Sequence, residues 1–104
     1  MSYKEEFGFD FELGFDLSIH PYLKDKSYRH DDCPSFYFNK DSQYYIFWVD
    51  FVDRNKRENE NAFRYTIQSA DNEGTESEPE VYANSGNIVF ENETLTIQDI
   101  RTLI

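Results

Sequence analysis

The sequence predicts an α+β fold: an antiparallel sheet of five to six strands with one C-terminal helix packed on it. Three observations lead there. Apolar and polar residues alternate over residues 7–19 and again over 63–67, the period of a half-buried strand. Two apolar runs, residues 35–39 and 44–52, flank Lys40-Asp41-Ser42-Gln43, the pattern of a hairpin with a four-residue loop. From Thr96 onward apolar residues fall at helical spacing behind a capping side chain. At 104 residues the chain has the size of one domain, and residues 1–104 are read as one.

Taken in order, the first stretch has Phe7, Phe9, Phe11, Leu13, Phe15, Leu17 and Ile19 at odd positions. Its even positions are Gly8, Asp10, Glu12, Gly14, Asp16 and Ser18, so Asp10, Glu12 and Asp16 are expected on one strand face. Thirteen residues is long for a strand, and a bulge at Gly8 or Gly14 is expected. Residues 20–34, punctuated by Pro21 and Pro34, read as an irregular connection. The run 44–52 is apolar on both parities: Tyr45, Phe47, Val49 and Phe51 against Tyr44, Ile46, Trp48 and Val52. Such a strand is either covered on both faces or bares an aromatic contact patch on one.

Residues 54–62 read as a polar loop and 71–80 as an acidic one. Residues 81–83 and 88–90 read as a hairpin around Asn84-Ser85-Gly86-Asn87, since Asn and Gly supply the positive φ of a tight turn. In the tail Thr96 caps a helix with Asp99 three residues on. Ile97, Ile100 and Ile104 share one face of that helix, with Leu103 beside them. Residues 94–97 could instead extend a strand.

Composition separates a folded chain from a disordered one. Only 38% of residues are hydrophobic, but they include 10 Phe, 8 Tyr and 1 Trp. Disordered acidic chains are poor in aromatics, and each buried ring removes roughly 150–250 Å² from water. The formal charge is −11, from 10 basic and 21 acidic residues. That excess argues against unaided binding to nucleic acid or to an anionic membrane. It is also uneven: net −4 over residues 1–16, zero over 17–64, and −8 over 65–100. Two acidic arms flank a balanced middle, and such a surface attracts a basic partner. No apolar run is long enough to span a membrane, no basic-then-apolar leader is seen, and one cysteine cannot pair within the chain. A cytoplasmic location is expected.

Catalytic and metal readings each lose to a plainer one. His30-Asp31-Asp32-Cys33, with His20 upstream, lacks the paired close ligands of a zinc site. Two adjacent aspartates oppose ionisation of the Cys33 thiol. Residues 69–80 resemble a calcium loop, but Ser69 stands where the first Asp belongs and strands flank it. Asp50 and Asp53 fall on opposite strand faces, a poor arrangement for a carboxylate pair. No phosphate loop or nucleophile elbow occurs. The chain is therefore read as no enzyme, with no cofactor and no metal.

The stretch YYIFWVDFVD at 44–53, followed by FRYTI at 63–67, resembles the immunity proteins of bacterial contact-dependent growth inhibition. The likeness is one of size, acidity and aromatic-rich strands over most of the chain, without a diagnostic motif. It implies a monomer that forms a one-to-one complex with a cognate toxin domain, often a nuclease, and neutralises it. The partner should present a basic surface. Asp71, Glu73, Glu76, Glu78 and Glu80, with Tyr82 as aromatic anchor, are favoured for contact over Asp10, Glu12 and Asp16, because loops adapt to partners. A phage-encoded acidic nucleic-acid mimic that inhibits a DNA-binding defence protein would share the same acidity.

Overall fold

In a computed structural model, which describes residues 2–84, 86–96 and 99–104, Asp41 and Ser42 set the register of the sheet. Both take positive φ, 53° and 68°, the turn whose twist matches that of the strands it joins. The loop thus has two residues rather than four, and Lys40 pairs with Gln43. The described strands are Lys24–Asp25 (β1), Ser35–Lys40 (β2), Gln43–Val49 (β3), Tyr65–Asn72 (β4), Val81–Tyr82 (β5) and Ile88–Asn92 (β6). All neighbours are antiparallel, in the order β1-β2-β3-β4, with β5 and β6 both on the outer edge of β4.

The expected hairpin of 81–83 with 88–90 does not form. Val81 pairs with Asn72 and Ile88 with Gln68, so the two short strands act as one interrupted strand along β4. The excursion between them returns at Gly86, where a Cβ would lie 1.7 Å from the Ser69 carbonyl oxygen. Only glycine allows that approach. Asn87 then donates its amide to Ser69 Oγ at 2.9 Å. Ser85 lies outside the described residues.

The α+β assignment is overturned at both ends of the chain. Among the described residues the one α-helix is Tyr3–Phe7 (α1), a short turn started by Ser2, which accepts from the Glu5 amide, and closed by Gly8. The side chain of Asp25 on β1 accepts the Tyr3 amide at 2.7 Å, satisfying a donor the helix leaves free. Residues 7–19 are no strand. Phe9 is 79% exposed while Leu13 is 5% exposed, so the alternation does not sort the side chains onto two faces. The segment instead crosses the sheet as a cover, held where the Tyr65 hydroxyl donates to the Leu13 carbonyl at 2.7 Å, and ends in a 3-10 turn, Leu17–Ile19.

Among the described residues the tail forms a 3-10 helix, Ile100–Leu103, and no C-terminal α-helix. Its cap is Asp99, not Thr96: Asp99 Oδ1 accepts the Arg101 amide at 3.0 Å, and Thr102 donates to the Asp99 carbonyl at 3.0 Å. Asp competes for the backbone locally and ends a helix that would run through it. Ile97 and Gln98, on which the helical face and the alternative strand both drew, lie outside the described residues.

The sheet has two unlike faces. Phe36, Phe38, Phe47, Val49, Tyr65 and Ile67 point to one face, each between 0% and 2% exposed, under the N-terminal cover and Ile100. The opposite face has a smaller core of Ile46, Ala70 and Val81, with Tyr37, Tyr44 and Trp48 packed around it and only half buried. Strand β3 is thus apolar on both sides because both sides pack, one fully and one in part.

Candidate functional site

The half-covered face holds two cavities. Residues 25–32 run beside it as a strap, and Asp31 lines both. On one side, a groove of about 580 Å³ lies between Lys26, Tyr28 and the edge residues Val81 and Tyr82. Tyr28 and Tyr82 are 47% and 49% exposed. Tyr82 therefore belongs to an aromatic groove rather than to the acidic loop alone.

On the other side, a cavity of about 310 Å³ is floored by Trp48, Asp50 and Thr66 and walled by Asp31, Asp32 and Phe63. Trp48 and Thr66 are register partners, and the indole N–H donates to Gln68 Oε1 at 2.9 Å, which fixes the ring. The Lys26 ammonium sits 5.7 Å from the indole centroid, within cation–π range. Asp50 is only 8% exposed. Its Oδ1 accepts the Phe51 amide at 2.8 Å; among the described residues nothing donates to Oδ2 and no cation bonds the group. Burial raises its carboxyl above the usual range, against the pull of the Phe51 amide and of Arg57.

Arg57, outside the lining, braces the loop that brings Ala62 and Phe63 to this cavity, a role the composition of a polar loop does not reveal. Its side chain is fully buried. It donates to the carbonyls of Phe51 at 2.7 Å and Ala62 at 2.8 Å, and in a fork to Glu93 at 2.9 and 2.8 Å. Glu93 also accepts from Arg54 and from the Arg64 amide. These bonds, the Arg57 fork first, pull the Glu93 carboxyl down to about 2. The 50–64 loop is thereby tied to the end of β6, and Phe63 is carried to the rim. Arg64 does border the cavity, but its guanidinium donates to the Glu12 carbonyl at 2.8 Å and lies 5.1 Å from the Tyr65 ring centroid.

The acidic residues named from sequence fall in two places. Asp71 lies on β4 opposite Tyr82, and the rest of that arm is a braced loop. Asn72 Oδ1 accepts from the amides of Gly74 and Glu80, both at 2.9 Å, and Thr75 Oγ1 accepts from the Glu78 amide at 3.0 Å. Asn84 donates to both Asp71 and Glu73. Glu73, Glu76, Glu78 and Glu80 are exposed, and no cation bonds any of the five acids among the described residues. Asp10, Glu12 and Asp16 do not share a strand face. Asp10 and Glu12 rim a cleft of about 220 Å³ beside Phe11, Phe51 and Lys56. Asp16 caps the 3-10 turn through Ser18, whose hydroxyl and amide hold its carboxyl below the usual range.

Cys33 is buried, and burial, with Asp50, Asp32 and Asp31 nearby, pushes its thiol far up. A thiol so placed stays protonated and unreactive at neutral pH. Among the described residues no group of three or more His, Cys, Asp or Glu side chains is placed to hold a metal ion, and no helix is long and apolar enough to cross a membrane. The sequence signals for the second cavity were present, as the even-numbered aromatics of 44–52 and the Asp31-Asp32 pair, but their meeting across more than fifteen residues of chain was not. No protein-family model matches the chain, and no curated protein and no solved structure is significantly similar to it.

Proposed function

We propose that the chain is an immunity protein that binds a cognate bacterial toxin domain one-to-one in the cytoplasm and neutralises it by covering a basic surface. It performs no chemistry of its own. The observation that carries this reading is the acidic hairpin loop at 71–80. Its backbone and its Asn72 and Thr75 side chains are spent on bracing the loop, while its carboxylates face solvent without a cation. A loop stiffened to display like charges loses little entropy when a partner neutralises them. The half-open aromatic face with Tyr82 at its edge supplies the apolar anchors that charge alone does not.

The test is kinetic. Association with the cognate toxin domain should be steered by charge. Its rate constant should fall at least tenfold between about 0.01 and 0.15 M salt, as the Debye length shrinks from about 30 to 8 Å. Dissociation should change less. Replacing Glu73, Glu76 and Glu78 together by Gln should slow association at least fivefold at the lower salt. A rate within twofold of the parent would show the loop to be only a solvating surface. Tight binding to several unrelated DNA-binding proteins, in place of one toxin, would replace the reading by that of a nucleic-acid mimic.

A further inference from the structure

Beyond charge steering, we infer that the cavity over Trp48 and Asp50 is a receptor for one guanidinium: the side chain of an arginine presented by the partner. This rests on the reading of the chain as a binder of a basic protein surface and names the contact that would fix its register. Three features point to this occupant. Asp50 is more than nine-tenths buried, lines the cavity, and leaves Oδ2 without a donor and its charge without a bonded counter-ion among the described residues. Oδ2 keeps contact with solvent and is free to accept from an entering cation, a bond stronger than one between neutral groups. Asp31 and Asp32 stand on the wall, so a cation entering from solvent meets carboxylates along its way in.

The third feature is the pair of rings. Trp48 floors the cavity, and Phe63, 42% exposed, borders it. A planar guanidinium stacks on such rings and still offers a fork of N–H donors to a carboxylate, whereas an ammonium is a compact, strongly hydrated charge. The volume, about 310 Å³, is at the low end of small-ligand sites and suits one side chain rather than a peptide. Of the chain's own cations, Arg64 borders the cavity with its guanidinium donating to the Glu12 carbonyl, and Lys26, outside the lining, lies 5.7 Å from the Trp48 ring centroid, a place an entering guanidinium would have to share or take.

Trp48 is the only tryptophan of the chain, so its fluorescence reports on the cavity directly. The probe is N-acetyl-arginine N-methylamide, titrated into the full chain at constant ionic strength beside the lysine and norleucine analogues. The arginine derivative should give a saturable change with a dissociation constant on the order of 1–10 mM, as a fragment this small would. The lysine analogue should bind at least threefold more weakly, and the norleucine analogue should give no saturable change. Asp50→Asn should weaken the arginine derivative at least fivefold, while the Gln triple variant at 73, 76 and 78 stays within twofold of the parent. Should Asp50→Asn unfold, Asp32→Asn takes its place, with at least a threefold loss expected. An unsaturable response, an equal response to norleucine, equal affinity for lysine, or no loss in the aspartate variant would overturn the assignment. No toxin enters this titration, so its failure leaves the kinetic test of function standing, and the converse holds.

Discussion

The two faces of the sheet are made by the same strands and differ in what covers them. On β3, Phe47 and Trp48 are adjacent residues with opposite fates. Phe47 is fully buried, stacked on Tyr65 at 5.9 Å and against Phe15 at 5.8 Å. Trp48 is half buried, with its N–H held by Gln68 and its ring shared between a small core and a cavity. The first face is closed by an N-terminal segment that brings its own aromatics. The second is bordered by a polar strap, 25–32, and by an edge strand of two residues. A face closed by its own chain serves stability; an aromatic face left half open beside carboxylates is available for contact.

The largest expected effect tests that division at its sharpest point. Phe47→Ala should cost about 3–5 kcal/mol of unfolding free energy, the range for removing a fully buried ring. Trp48→Ala should cost about 1–2 kcal/mol, since a half-buried ring has less area to lose. Denaturant titration of both variants decides it. Equal costs would mean that the second face is as structural as the first.

A smaller effect sharpens the account of the cover. Tyr65→Phe keeps the ring but removes the hydroxyl that meets the Leu13 carbonyl. Leaving that carbonyl unpaired should cost about 1–2 kcal/mol. Amide exchange should speed up over residues 9–16 more than over β2 and β3. Uniform acceleration would show that the cover and the sheet open together.

The smallest effect is a pH dependence confined to the same cover. His20 is 3% exposed, with Nδ1 2.7 Å from the Tyr22 hydroxyl, which in turn accepts the Ile100 amide. Burial lowers its pKa from the ordinary value of 6.5, and Asp99 and Asp16 restore only part of it. The unfolded chain therefore takes up a proton that the folded one resists. Stability contributed by neutral His20 is present above about pH 6.5 and is lost as the pH falls from there toward the lowered folded value. Thermal melts at pH 7.5 and 5 should show a larger drop in the parent than in His20→Gln. An identical drop would place the acid sensitivity elsewhere.

Legibility followed the range of the interactions. The β2-β3 hairpin and β4 were readable because alternation and a tight turn are local properties. The turn came out two residues shorter than expected because strand twist favours positive φ at Asp41 and Ser42 over a looser loop. The same alternation misled at 7–19. A period of two marks a strand only where another strand offers its free edge. Here the backbone turns at Gly8 and Gly14, both with positive φ, and the phenylalanines serve as a cover. The tail misled for a local reason, since Asp99 claims the Arg101 amide and starts a turn of its own. The acidic loop was legible as charge, but its bracing by Asn72 was not.

By itself, then, the amino-acid order determined the acidity, the aromatic content and the central antiparallel strands, because each is a sum or a pattern over neighbouring residues. Tertiary structure alone decided that 81–82 and 88–92 share one edge of β4. It alone sank Arg57 beneath Glu93 to hold the 50–64 loop. And it alone brought Asp31 and Asp32 to the mouth of a cavity floored by Trp48 and Asp50. Those juxtapositions join residues far apart in the chain. They exist only once burial of the first face has fixed where each strand lies, and no local pattern carries that information.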